Sequence, residues 1–166
     1  MKVLFISDIH GLVDNFKKII PLIEECDKLI VLGDSFSRRT YEDLGEYNPR
    51  YIIDYFNQLG DKLIHIKGNC DYVVDERDLN FPLHHYYELK LDNYTLKLIH
   101  DPNDIMNLYN GDALIFGHTH IPEISQINDN LYLNPGSLTI PKNGISSYMI
   151  YENGFKIYDI DGNVII

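Results

Sequence analysis

Seven side chains in this sequence offer imidazole nitrogen or side-chain oxygen as ligands: Asp8, His10, Asp34, Asn69, His100, His118 and His120. All of them stand where apolar runs stop. Residues 2–7 lead into Asp8-Ile9-His10-Gly11, and Leu29-Ile30-Val31-Leu32 leads into Gly33-Asp34. Leu63-Ile64-His65-Ile66 is followed by Lys67-Gly68-Asn69-Cys70-Asp71, residues 94–99 by His100, and Ala113-Leu114-Ile115-Phe116 by Gly117-His118-Thr119-His120. A lone aspartate after a strand is more often a turn or cap residue, and a lone histidine more often a hydrogen-bonded core or surface residue. Repetition at five strand ends turns that expectation around. Mixed nitrogen and oxygen donors without thiolate suit Mn, Fe, Zn or Ni better than Ca or a purely soft metal. The set is too large for one tetrahedral ion with an open position and suits two ions sharing a bridging carboxylate, most simply an aspartate. Two divalent ions bring roughly four positive charges and two aspartates remove two, which leaves a pocket that attracts phosphate oxygens. Such a pair also lowers the pKa of a bridging water, so that hydroxide is available near neutral pH to attack phosphorus in line with the leaving oxygen.

The elements that must position these donors follow from periodicity. Residues 2–7, 29–32 and 63–66 read as buried strands. Between them, residues 14–26 carry Phe16, Ile19, Ile20, Leu22, Ile23 and Cys26 at helical spacing, with Asp14 as N-cap and a kink expected at Pro21. Residues 35–50 are polar and without strong periodicity, and predict a long loop before a helix over 49–59. Strand, helix, strand, helix, strand implies a parallel sheet with right-handed crossovers, in which ligands gather beyond the carboxyl ends of the strands. After residue 84 the strands are close-set: 85–91 and 94–99 flank the turn pair Asp92-Asn93, a short helix is expected over 104–109, and 113–116 is a strand. Strands at 123–127 and 131–133 precede Asn134-Pro135-Gly136-Ser137, and 146–151 with 155–160 predict a final hairpin around Asn153-Gly154.

With 166 residues the chain is expected to form a single domain over 1–166, long enough to bury about two-thirds of the surface its unfolded form exposes. The net charge of −11, with no stripe of Lys and Arg, disfavours a nucleic-acid polymer as partner. No apolar stretch approaches the roughly 18 residues of a membrane span. The chain holds two cysteines, Cys26 and Cys70, and its opening apolar run is too short for a signal peptide, so a cytoplasmic setting is expected.

Asp8-Ile9-His10, Gly33-Asp34, Gly68-Asn69-Cys70-Asp71, His100 and Gly117-His118-Thr119-His120 resemble, in order, the motifs of the calcineurin-like metallophosphoesterase superfamily. Gly68-Asn69-Cys70-Asp71 followed by Asn134-Pro135-Gly136-Ser137 is similar to its small, capless bacterial and archaeal phosphodiesterase branch. The resemblance covers nearly the whole chain. It implies an α/β fold in which two sheets form an αββα sandwich of the metallo-dependent phosphatase type, a dinuclear site usually active with manganese, and hydrolysis of small phosphodiesters. It also implies that Asp8, His10 and His120 bind one ion and Asn69, His100 and His118 the other, with Asp34 bridging. The residues it points to for the reaction itself are Asp34, Asn69, Cys70 and His118.

Two positions depart from the family pattern. Many larger relatives have a histidine where this chain has Cys70, and a thiol is a poorer proton donor to an alkoxide, which favours activated esters; the alternative is a small space-filler beside the site. After His100 the branch usually continues with Gly and His, whereas Asp101-Pro102 stands here, and Asp101 is a candidate acceptor that orients a ligand histidine. Arg38 and Arg39 are candidates for a fork onto a phosphate oxygen, or else solvated loop charges. A second reading is a binding module like the retromer scaffold subunit, which resembles the same fold with an incomplete metal site; here every donor position is filled by a competent ligand. A phosphomonoesterase or nucleotide pyrophosphohydrolase differs only in pocket shape, which the sequence leaves open. Tyr86 and Tyr87 leave a homo-oligomer contact open beside a core role.

Overall fold

Strand β1 (Val3–Ile6), helix α1 (Asp14–Glu25), strand β2 (Lys28–Val31), helix α2 (Pro49–Phe56) and strand β3 (Leu63–Ile66) alternate as the periodicity predicts. They are seen in a computed structural model that describes residues 1–37, 44–74, 76–104, 108–109 and 111–166. β1 pairs in parallel with β2, from Val3 opposite Lys28 to Ile6 opposite Val31, and β2 pairs in parallel with β3. Each of these strands is apolar on both faces because both faces are covered. Leu4, Ile6, Leu29, Val31 and Leu63 pack against Phe16, Ile19 and Ile23 of α1 and Ile52, Ile53 and Phe56 of α2. Val3, Phe5, Ile30, Leu32, Ile64 and Ile66 point the other way, into a second core.

Local signals set the two helices. Asn48 caps α2, its Oδ1 accepting from the Tyr51 N–H at 3.1 Å, and Pro49 occupies the first turn, where a missing N–H costs nothing. α1 starts one residue earlier than a cap at Asp14 requires: Val13 is the N-cap, and the Asp14 carboxylate instead accepts from the Glu46 N–H at 2.9 Å. The helix continues through Pro21 to Glu25.

The second core is closed by a sheet of five strands: β5 (Tyr87–Leu91), β6 (Tyr94–Leu98), β7 (Asp112–Ile115), β8 (Pro122–Ile127) and β9 (Asn130–Pro135), in the order β5-β6-β7-β9-β8. Strand β4 (Leu83–His84), too short for any periodicity to mark, pairs in parallel with β3 at the edge of the first sheet. The strand predicted over 85–91 is therefore shortened: the chain crosses between sheets at His85 and Tyr86 and enters β5 at Tyr87. Tyr87 is half-buried against the inter-sheet core, whereas Tyr86 is exposed and its hydroxyl donates to Glu88 at 3.0 Å. β10 (Ser147–Tyr151) and β11 (Phe155–Asp159) form the expected hairpin and return to the first sheet, β10 lying antiparallel to β1.

The result is a two-sheet α/β sandwich, the architecture that the motif resemblance implies. Both α-helices among the described residues lie on the outer face of the first sheet; on the second, Ile99, Leu114 and Phe116 pack with Leu108 and Tyr132. The helix expected over 104–109 is represented by a single turn, Pro102–Asp104, and residues 105–107 lie outside the described residues. β6, β7 and β9 run parallel to one another, which no close-set hairpin pattern could indicate. Parallel alignment has a direct consequence for the donors. β1, β2, β3, β6 and β7 all send their carboxyl ends to one rim, where the loops that follow them meet.

Candidate metal centre

Hydrogen bonds between the loops hold that rim together. The His10 N–H donates to Asp34 O at 2.8 Å and the Asp8 N–H to Gly33 O at 3.0 Å, so the first two loops continue the pairing of their strands. Asp71, fully buried, holds the second and third loops: its carboxylate accepts from the backbone N–H groups of Asp34, Ser35, Phe36 and Gly68 at 2.8–3.2 Å. Ser137 Oγ donates to Asp8 O at 2.8 Å, Thr139 Oγ1 donates to Ile9 O at 2.8 Å, and Asn134 Nδ2 donates to Gly117 O at 2.8 Å. The Asn134-Pro135-Gly136-Ser137 segment thus ties the first loop to the last. In the sequence Asp71 stands in Gly68-Asn69-Cys70-Asp71 and Asn134 and Ser137 in Asn134-Pro135-Gly136-Ser137, while no motif marks Thr139.

The backbone carries strain where the donors sit. Asp8, His10, Asp34, His118 and His120 all adopt left-handed conformations, with φ of 53°, 51°, 55°, 62° and 60°. For a non-glycine residue this costs about 1–2 kcal/mol, and the loop-to-loop hydrogen bonds offset it. Glycine is required close by. A Cβ on Gly68 would collide with the Asp34 carboxylate, and one on Gly117 would collide with Ser7 Oγ and stand 3.0 Å from Asp8 Oδ2.

All seven predicted donors converge, in two groups. In the first, His120 Nε2 lies 3.2 Å from Asp8 Oδ1 and 3.3 Å from His10 Nε2, and His10 Nε2 lies 3.8 Å from Asp8 Oδ1. In the second, Asn69 Oδ1 lies 3.0 Å from both His100 Nε2 and His118 Nδ1, and those two nitrogens are 3.3 Å apart. Asp34 stands between the groups. Its Oδ1 accepts from the Cys70 N–H at 2.7 Å, while Oδ2 is 3.9 Å from His10 Nε2 and 3.5 Å from His100 Nε2.

Which ring nitrogen faces inward follows from the other one. A carbonyl oxygen only accepts, so the ring proton sits on Nδ1 in His10, His100 and His120, which donate to Ser37 O at 2.8 Å, Leu32 O at 2.6 Å and Ile140 O at 2.6 Å. Their Nε2 atoms point at the centre. His118 is reversed: Nδ1 faces inward and Nε2 lies 3.6 Å from Asp101 Oδ2.

These residues fit divalent cations. Asp8 Oδ1 is buried and meets no hydrogen-bond donor, and its close neighbour His120 Nε2 presents a lone pair whenever that ring is neutral. Only a proton or a cation between them relieves the contact. Burial disfavours charge on His120, yet Asp8 outweighs it and the pKa is raised. Burial likewise opposes charge on His100, but Asp34 and Asp8 lift it to about 9; for Asp34, burial alone would raise the carboxyl, and His100, the Cys70 N–H and His10 hold it at about 2. The site is therefore built to stabilise positive charge between two carboxylates. Asp8, His10 and His120 bring their ligand atoms within 4.8 Å of one another, and so do Asp8, Asp34 and His100.

Beside the donors lies a cavity of about 520 Å³, walled by Leu44, Ile140 and Pro141 with Cys70 and Lys142. Cys70 is buried, its Sγ 3.4 Å from Asn69 Nδ2. Lys142 and this apolar wall were not anticipated from the sequence. Arg38 and Arg39 lie outside the described residues. One buried histidine belongs elsewhere: His65, on β3, stacks on Phe36 at 5.3 Å and shares a 2.8 Å hydrogen bond with Ser35 Oγ, and burial pushes its pKa down to about 4.

A two-sheet sandwich with histidine, aspartate and asparagine donors converging at the carboxyl ends of its parallel strands defines the metallophosphoesterase class. A family model for the calcineurin-like phosphoesterase superfamily domain matches residues 1–154, and the chain belongs to that superfamily. It is 33% identical over 162 residues to the phosphodiesterase YfcE of Escherichia coli K12, covering 92% of this chain and 88% of that protein. A solved structure of the E. coli phosphoesterase YfcE matches with a TM-score of 0.91 at 31% identity, over 100% of this chain and 97% of that one. The vacuolar protein sorting 29 structure from Cryptosporidium parvum shares the fold, with a TM-score of 0.67 at 18% identity over 95% of this chain and 90% of that one.

Proposed function

We propose that this chain is a metal-dependent phosphodiesterase that hydrolyses small phosphodiesters at a dinuclear centre, as one domain spanning residues 1–166. The observation that carries this reading is the Asp34 carboxylate, whose Oδ2 reaches His10 Nε2 at 3.9 Å and His100 Nε2 at 3.5 Å and so serves both donor groups. Asp8, His10 and His120 hold one ion, Asn69, His100 and His118 hold the other, and Asp34 bridges. Similarity to the E. coli phosphodiesterase supports the substrate class. Manganese suits the mixture of imidazole, carboxylate and amide donors. When bound, the ions supply Lewis acidity and a source of hydroxide near neutral pH.

The side chains of the chain itself do the rest. Asp34, Asn69 and His118 line the cavity where the phosphate is received, and the Lys142 ammonium offers a cation to a non-bridging oxygen from the cavity wall. Leu44, Ile140 and Pro141 receive an apolar ester group. Cys70 stands where a proton donor to the leaving oxygen is useful, and a thiol donates poorly to an alkoxide, so the site fits leaving groups that depart without protonation, such as aryl oxides. Among the described residues no helix is long and apolar enough to cross a membrane. Two buried thiols without a disulfide suit a reducing cytoplasmic setting.

The test is hydrolysis of bis(4-nitrophenyl) phosphate by protein stripped of metal and then reloaded with Mn²⁺. Activity is expected to vanish with chelator and return with Mn²⁺, and equal rates in both states refute the reading.

A further inference from the structure

Three of the four donor histidines are oriented by a backbone carbonyl, at Ser37, Leu32 and Ile140. His118 is not. The inward-facing atom of its ring is Nδ1, and the group opposite Nε2 is the Asp101 carboxylate, with Oδ2 at 3.6 Å. We infer that Asp101 is a positioning residue for His118, replacing with a side-chain carboxylate the carbonyl anchor that the other three rings receive from the main chain.

Asp101 is itself held for this task. Its Oδ1 accepts from the Asn103 N–H at 2.9 Å and from Asn103 Nδ2 at 2.8 Å, which leaves Oδ2 to face His118. Asp101 directly follows His100, so adjacent residues supply a donor to the second group and the orienter of another donor in it. The need for an orienter is specific to this ring: His118 has 40% of its side chain exposed, against 5% for His100 and 6% for His10. An unanchored, exposed ring must lose rotational freedom when it binds an ion, and an acceptor for its outer N–H removes that cost in advance. The 3.6 Å separation is longer than a direct hydrogen bond of roughly 2.7–3.2 Å, and the exposed ring has room to close it by rotation or to span it with one water. A carboxylate also makes the ring a stronger donor than a neutral carbonyl does.

This inference rests on the two-ion reading given above, and its test separates the two. Mn²⁺ bound per chain is measured by equilibrium dialysis and elemental analysis for wild type, Asp101→Asn and Asp101→Ala. Wild type is expected to bind two ions. Asp101→Ala is expected to keep the tighter ion unchanged and to bind the weaker about 10- to 100-fold less well. Asp101→Asn, whose amide oxygen still accepts from Nε2, is expected to fall between them, a rescue that loss of loop packing alone does not produce. In the Zn²⁺-loaded wild type, nitrogen NMR of the imidazoles is expected to show His118 as the one ring bound through Nδ1 with its proton on Nε2. Wild-type constants for both ions in Asp101→Ala, equal loss of both, or ligation of His118 through Nε2 each overturn the assignment. A wild type that binds fewer than two ions overturns the two-ion reading first, and this inference with it.

Discussion

The two donor groups of the candidate metal centre are made of similar residues and built differently. Asp8, His10 and His120 form a group whose carboxylate is fully buried and whose two imidazoles are held by main-chain carbonyls. Asn69, His100 and His118 form a group in which Asn69 is exposed, His118 is half-exposed and its anchor is a side chain. In the first half the polypeptide has already met the entropy cost of gathering the ligands; in the second, part of that cost remains until an ion arrives. Both groups border the cavity, the first through His10 and His120 and the second through Asn69 and His118 beside Cys70. The two groups therefore differ in burial and anchoring, not in access to the cavity.

The sharpest way to break this comparison is through the shared ligand. Asp34→Ala is expected to lose both ions and to reduce turnover on the order of 10³-fold, because the lost oxygen faces both halves. Elemental analysis beside a rate measurement checks it, and retention of two ions removes Asp34 from the bridge. A smaller effect distinguishes the halves. His118→Ala and His120→Ala should each leave about one ion per chain, with the survivor in His118→Ala held the more tightly against a dilute chelator. Equal retention would show that the two halves do not differ as their burial suggests.

The smallest effect is one of pH and bears on the second half. In the metal-free protein His100 titrates at about 9 instead of the ordinary 6.5, because Asp34 and Asp8 outweigh the burial that opposes its charge. It is therefore protonated at neutral pH, and on the proposed assignment it would shed that proton to bind an ion through Nε2. Affinity in this half should rise with pH, by up to about tenfold per unit, and level off above about pH 9. Calorimetry in two buffers of different ionisation enthalpy should count about one proton released by His100 at pH 7.5. Metal uptake that is independent of pH from 7 to 9 would show that His100 is already neutral. This places the titration window higher than the value near 6.5 that an unperturbed histidine implies.

Much of the first sheet was legible because parallel strands buried on both faces read as unbroken apolar runs, and the helices between them repeat at 3.6 residues. The second sheet was legible in its hairpin, where Asp92 takes the left-handed turn conformation with φ of 51°. Its order was not. Whether β7 lies parallel or antiparallel to β6 depends on where the intervening connection runs, and no local propensity encodes that path. The same limit hid β4: two residues at a sheet edge are too few to show a period. Nothing in the sequence marks Asp71 as the clamp of two loops, because its four partners are backbone N–H groups, which every residue type but proline presents.

The sequence by itself determined which residues could bind metal and that they stand at strand ends, since donor chemistry is a property of residue type and strand ends are marked by the end of an apolar run. Tertiary structure alone decided that His10, His100 and His120 turn Nε2 inward while His118 turns Nδ1, and that one oxygen of Asp34 faces both groups. Those choices depend on carbonyls and carboxylates brought from distant parts of the chain, such as Ile140 to His120 and Leu32 to His100. A ring's orientation is set by what its other nitrogen meets, and only the folded chain supplies that partner.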